Sequence, residues 1–266
     1  MMGEMASDQI TLRSLRSTIL QMVFRAKEGH IPSAYSILEI LYVLYKYCLR
    51  VDPKECKNPD RDYFMLSKGH AGAGLYAVLG HFGYFESELL TTYCQPGSLF
   101  GGHPDSCKVP GVEVSSGSLG HGIAMGIGAA MGLRLRGIDK KVVVVVGDGE
   151  MDEGSFWESM MMAKNQGLNN LIVIADCNGS QKYSYPFRIL DILTSMEWGV
   201  KEVDGHDTEL LREVLQPALL EPRDQPVFIC ARTIKGYGVK RFVGEHAWHR
   251  RTPTELELAE ILKELE

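Results

Sequence analysis

Apolar residues recur at helical spacing at Leu12, Leu15, Ile19, Met22 and Val23, and Gly29 follows as a stop. A second helix is predicted from Ile37, Leu38, Leu41, Leu44 and Tyr45. The link between them holds Gly29, His30 and Pro32. Residues 62–66 read as a short strand and residues 70–80 as a small-residue helix packed closely on its neighbours. Residues 120–137 repeat that character, and Gly126, Gly128 and Gly132 cost helix propensity that tight packing must offset. The clearest unit starts at Lys141. The β-branched run 142–146 is the signature of a strand buried on both faces. Residues 153–166 form a helix pattern, and 171–175 is a second buried strand. A strand, a helix and a strand in this space mean parallel strands joined by a right-handed crossover. Residues 227–231 are a further strand candidate. The fold class is α/β, with a mostly parallel sheet flanked by helices on both faces.

The chain has 266 residues, 45% hydrophobic and 23% charged, which is enough for a full core and excludes global disorder. No repeat or linker interrupts it. Residues 1–9 are expected to be a flexible N-terminus and 10–266 one domain. With 28 basic and 34 acidic residues the net charge is −6, which argues against nucleic acid as a partner. Six cysteines include no C-x-x-C pair and read as free thiols of a reducing, cytoplasmic compartment. No signal segment is visible at the N-terminus, and the longest apolar run is too short for a membrane.

The candidate chemistry lies just past the strand ends. Asp148 follows one parallel strand and Asn178 the next. Neighbouring strands lie about 4.8 Å apart, so a carboxylate and an amide oxygen converge above the sheet edge. Hard oxygen ligands suit Mg²⁺ or Ca²⁺, and Mg²⁺ commonly shares its shell with phosphates. Gly149 opens the next helix, where an N–H and the helix dipole favour an anion. Gly-Asp-Gly alone is equally a helix cap. Asn178, one βαβ length later, makes the pair specific for a metal–diphosphate site.

Gly147-Asp148-Gly149 with Asn178 resembles the thiamine diphosphate signature, and residues 145–181 resemble transketolase in particular. Other transketolase-like segments follow in order: EGHIPSAYS, FMLSKGHAGAGL, FGGHPD, GVEVSSGSLGHG, VDGHD and GEHAWHRRTP. The resemblance covers residues 10–255, the diphosphate-binding half of a full-length transketolase. It implies a thiamine diphosphate-binding fold in which Asp148, Asn178 and the Ser180 carbonyl hold the metal. Gly149, His70 and Asn178 then contact the cofactor, with Gly117 and Leu119 beside its thiazolium. By the same resemblance, His30, His103 and His249 handle hydroxyl and oxyanion protons of the substrate, and Glu153 is a subunit-interface carboxylate linking paired cofactors. His81 and His206 are expected to be structural or peripheral.

The chain departs from the family pattern at His121, Cys177 and Arg250; the last makes the pocket beside His249 narrower and more positive. The resemblance implies two-carbon ketol transfer from a ketose donor to an aldehyde acceptor, with a sugar or sugar phosphate as substrate. It also implies a separate partner subunit carrying the pyrimidine-binding half, since no length remains here for one, and a heterotetramer. Alternatives are transfer to a carrier-bound acyl acceptor, a decarboxylase-type partner of a dehydrogenase complex, and a non-catalytic interaction subunit.

Overall fold

A computed structural model of the chain describes residues 2–181 and 188–266, without the side chains of residues 2–5 and 246. Five strands, β1 (Tyr63–Leu66), β2 (Val142–Gly147), β3 (Leu171–Cys177), β4 (Gly199–Asp204) and β5 (Val227–Arg232), form one sheet in the order β1-β2-β3-β5-β4. Every pairing among them is parallel. The register places Gly147 opposite Asp176, so the loops after β2 and β3 leave the sheet side by side.

The apolar strands divide their side chains between two cores, as the two-residue period of a strand requires. Val143, Val145, Ile172, Ile174 and Ile229 enter one core. Val142, Val144, Val146, Val173 and Phe228 enter the other. The first core is closed by helices α1 (Met2–Ala26), α2 (Ile31–Ser36), α3 (Leu38–Val43) and α4 (Gly72–His81). The second is closed mainly by α5 (His121–Leu135), α6 (Gly154–Asn165) and α7 (Ile189–Ser195). Helices α8 (Thr208–Leu220) and α9 (Glu255–Leu265) complete the first layer. With β2 and β3 covered on both faces, each buried valine or isoleucine contributes about 1.5–3 kcal/mol.

Three expectations change. Helix α1 already runs from Met2, and Asp8 is buried, accepting hydrogen bonds from Tyr42 (2.9 Å), Tyr47 (2.8 Å) and Lys46. Residues 2–9, expected within a flexible N-terminus, thus form the start of α1, and Asp8 ties that helix to Tyr42 of α3 and to Lys46 and Tyr47 beyond it. The second predicted helix is broken at Ile37 and ends in a wide turn over Leu44–Cys48. Of Gly126, Gly128 and Gly132, only Gly126 is packed tightly: a Cβ there would lie 2.5 Å from Val144 Cγ2, whereas Gly128 and Gly132 face open space. All six cysteines are free. No helix among the described residues is long and apolar enough to cross a membrane.

Candidate active site

A cavity of about 560 Å³ opens above the carboxyl ends of β1, β2 and β3, where open parallel sheets bind their ligands. Its lining contains His30, His70, His103, Gly117, Leu119, Asp148, Gly149, Asn178, Ser180 and His249. Every residue expected at the site is thus brought together except Glu153, which sits exposed at the N-cap of α6 and does not reach the cavity.

The two loop oxygens converge. The Ser180 amide donates to Asp148 Oδ2 at 2.9 Å and to Asn178 Oδ1 at 3.1 Å. Asp148 is buried, and burial followed by the nearby Asp176 pushes its pKa up. Among the described residues no cluster of three or more His, Cys, Asp or Glu side chains forms a metal site. One carboxylate, one amide and a main-chain carbonyl make a hard-oxygen set of a different kind.

Residues that sequence reasoning missed hold this pair in place. Asp176, fully buried at the end of β3, accepts from Ser36 (2.7 Å), from Thr233 and from Asn178 Nδ2 (2.9 Å), and forms an ion pair with buried Lys68. Because the amide nitrogen of Asn178 is committed to Asp176, its oxygen turns toward Asp148 and Ser180. Buried Glu150 accepts from the main-chain N–H groups of Gly120 (2.8 Å) and Gly147 (3.2 Å) and from the Ser67 hydroxyl. It ties the loops that follow β1 and β2 to the start of α5. Lys235 donates to Ser180 Oγ at 3.0 Å, and burial lowers its pKa. His206 is structural, as expected: its Nε2 accepts from the Ile234 N–H at 2.8 Å and so fixes the turn that presents Lys235.

Gly149 differs from expectation. A tight turn over Asp148–Asp152 precedes α6, so Gly149 does not open that helix, and its N–H donates to Asp148 Oδ1 at 2.7 Å. The spacing predicts a direct strand-to-helix step, whereas the Glu150 anchor imposes an extra turn.

Four imidazoles gather on the other side of the cavity. The His30 ring centroid lies 5.4 Å from His70, 6.4 Å from His103 and 5.1 Å from His249. Burial, then the His249 and Arg250 charges, lowers the His30 pKa to about 4. Burial and Lys68 hold His70 far below the ordinary imidazole value. Both are neutral near pH 7, able to donate and accept. His30 Nδ1 is buried without a hydrogen-bond partner among the described residues, a polar atom left for a ligand. Gly117 stands at φ +153°, and a Cβ there would lie 3.0 Å from His103 Cδ2, so only glycine keeps that wall open.

Comparison with known proteins gives the family. Residues 7–265 match the family described as transketolase, thiamine diphosphate binding domain. The chain belongs to that transketolase family. It is 37% identical over 244 residues to an apulose-4-phosphate transketolase subunit from Actinobacillus succinogenes, covering 89% of this chain and 87% of that protein. It is 34% identical to the 6-deoxy-6-sulfo-D-fructose transketolase subunit SqwG from a Clostridium species, with 98% of each chain covered. Among solved structures, transketolase from Leishmania mexicana superposes with a TM-score of 0.88 at 28% identity over 97% of this chain, but only 41% of the Leishmania chain. The transketolase-like motifs and the α/β fold read from the sequence therefore hold, and the similarity to single subunits of two-subunit transketolases extends over nearly the whole chain.

Proposed function

We propose that this chain is the diphosphate-binding subunit of a split transketolase, moving a two-carbon ketol unit from a ketose to an aldehyde. The observation that carries this reading is a shared cavity in which the Asp148–Asn178–Ser180 oxygens face a cluster of four histidines. The two relatives of nearly the same length are named as transketolase subunits for an apulose phosphate and a sulfo-fructose. That supports a sugar phosphate or a similarly anionic ketose as donor here.

The residues fit thiamine diphosphate. Asp148, Asn178 and the Ser180 carbonyl would hold Mg²⁺ (or Ca²⁺), with Gly149, His70 and Lys235 beside the diphosphate. The backbone at Gly149 is open toward the cavity: even an added Cβ would meet only the Ser180 carbonyl oxygen, at 3.6 Å. When bound, the cofactor supplies the electron sink that lets the bond between donor C2 and C3 break. The chain's own part is orientation and proton handling. Neutral His30 accepts or donates at a donor hydroxyl, and His103 and His249 move protons to and from the carbonyl oxygen. Arg250, in the lining beside His249, attracts an anionic substrate group. Gly117 and Leu119 shape the wall at the reacting end.

A partner subunit supplies the pyrimidine-binding half, and the two associate as a heterotetramer in the cytoplasm with sites at interfaces. Exposed Glu153 then meets a second copy and links paired sites. Ketol transfer from a ketose phosphate to an aldehyde is measured with this chain alone, with the partner alone and with both. Activity requires both. Robust transfer by this chain alone refutes the split.

A further inference from the structure

A second cavity, of about 370 Å³, lies at the opposite end of the strands from the cofactor rim. It is lined by Lys141 just before β2, Asn170 just before β3 and residues 219–223 at the end of α8 and just beyond it. Its size falls within the range of small-molecule sites, roughly 300–1,000 Å³. Arg50, Arg134, Lys140, Lys141 and Arg223 line it against Asp139 and Glu221, a positive cavity in a chain of net charge −6.

Four of the five cations are engaged. Arg50 pairs with Asp62 at 2.8 Å, Lys140 with Asp60 at 3.5 Å and Lys141 with Asp139 at 3.6 Å, while Arg134 donates to the carbonyls of Gln166 and Gly167. Arg223 differs. Its Nε donates to the Asn169 carbonyl at 2.7 Å, but Nη1 and Nη2 are buried with no partner among the described residues. Burial lowers its pKa to about 10. In the same lining, buried Asn170 donates to the Ala130 carbonyl at 2.9 Å, while its Oδ1 is buried and unpartnered among the described residues.

Unsatisfied buried polar groups are costly, a charged one most of all. Here two unmet guanidinium donors and one unmet acceptor belong to two residues that line one cavity. The complement is a group with two anionic oxygens, suited to the guanidinium fork, next to a hydroxyl that donates. We propose that this cavity binds a small hydroxylated anion of sugar-phosphate size, with its phosphate on Arg223 and a hydroxyl on Asn170 Oδ1. The ligand would sit on the same strands whose far ends carry Asp148 and Asn178.

The test uses the two-subunit enzyme, with orthophosphate and ribose 5-phosphate as separate probes and hydrogen–deuterium exchange to locate binding. Both probes should slow exchange in residues 137–141 and 219–223, and ribose 5-phosphate should bind more tightly because it adds the hydroxyl contact. Arg223→Met should weaken binding at this site by about tenfold or more. Its anion-free melting temperature should not fall, because an uncompensated buried charge is removed. Slowed exchange confined to residues 147–149 and 178–180, with none at the second cavity, would overturn the proposal. So would unchanged affinity in Arg223→Met. Equal affinity for the two probes would overturn the contact at Asn170. If Arg223→Met fails to fold, the exchange pattern of the unaltered enzyme decides.

Discussion

Replacing Asp176 by asparagine tests how the cofactor rim is held. Asp176 is fully buried, its ion-pair partner Lys68 is 2% exposed, and Ser36, Thr233 and Asn178 all donate to it. The asparagine would keep one acceptor oxygen, for either the Ser36 or the Thr233 hydroxyl, but leave the Lys68 ammonium buried without a counter-charge. Breaking a buried pair from one side costs about 3–5 kcal/mol. The retained acceptor argues for the lower end, about 3 kcal/mol, a fall in melting temperature of roughly 6–12 °C for a chain of this size. Lys68→Met combined with Asp176→Asn removes the lone cation and should recover more than half of that loss. Asp176→Asn also changes the site, since an amide at 176 no longer demands the nitrogen of Asn178, whose oxygen is then free to turn away. Metal affinity should then drop by about 10–100-fold, as for other groups that orient a metal ligand. Thermal and urea unfolding, with Mg²⁺-dependent cofactor binding measured alongside, give both readouts. A melting temperature within about 2 °C of the parent and unchanged metal affinity would refute the reasoning.

Other outcomes follow from the same geometry. His30 is held neutral in the folded state, with its pKa lowered from 6.5 to about 4, so the unfolded chain binds more protons between those values. Stability should therefore fall as pH drops from 6.5 through 4, and His30→Gln should flatten that part of the profile in urea unfolding. An imidazole signal for His30 titrating near its ordinary value would contradict this. In α5, a Cβ at Gly122 would lie 2.3 Å from Ser67 Oγ, so Gly122→Ala should destabilise by about 1–3 kcal/mol. Gly132 has open space around it, and Gly132→Ala should raise stability by up to about 1 kcal/mol. The same sign for both substitutions in urea unfolding would be inconsistent with the packing.

Much of the fold is legible in the sequence because β2 and β3 are buried on both faces and carry almost nothing polar. Strand β4 is not. It lies at the sheet edge with Lys201 and Glu202 exposed, so its sequence has no continuous apolar run. Helix α9 announces itself with a capping box, Thr254 to Glu257, a signal that periodicity alone passes over. Helix α8 begins with an Asp207 cap but carries Pro217 near its end, which disguises its length.

At the site, spacing alone places residues on loops after consecutive strands, such as Asp148 and Asn178. The groups that orient them escape it. Lys68 and Asp176 are 108 residues apart, and nothing local in either segment announces that they pair. The Glu150 anchor, which inserts a turn before α6, likewise depends on Ser67 and Gly120 from distant segments. Neutral His30 follows from burial and neighbouring charges that only the folded chain assembles.

The most direct measurement is calorimetric titration of thiamine diphosphate into the two-subunit enzyme, with and without Mg²⁺, for the parent and for Asp148→Ala. Binding should need the metal in the parent and be lost in the variant, because one of the three oxygens proposed to grip the cation is gone. Tight, metal-independent binding by Asp148→Ala would mean that the diphosphate is held elsewhere.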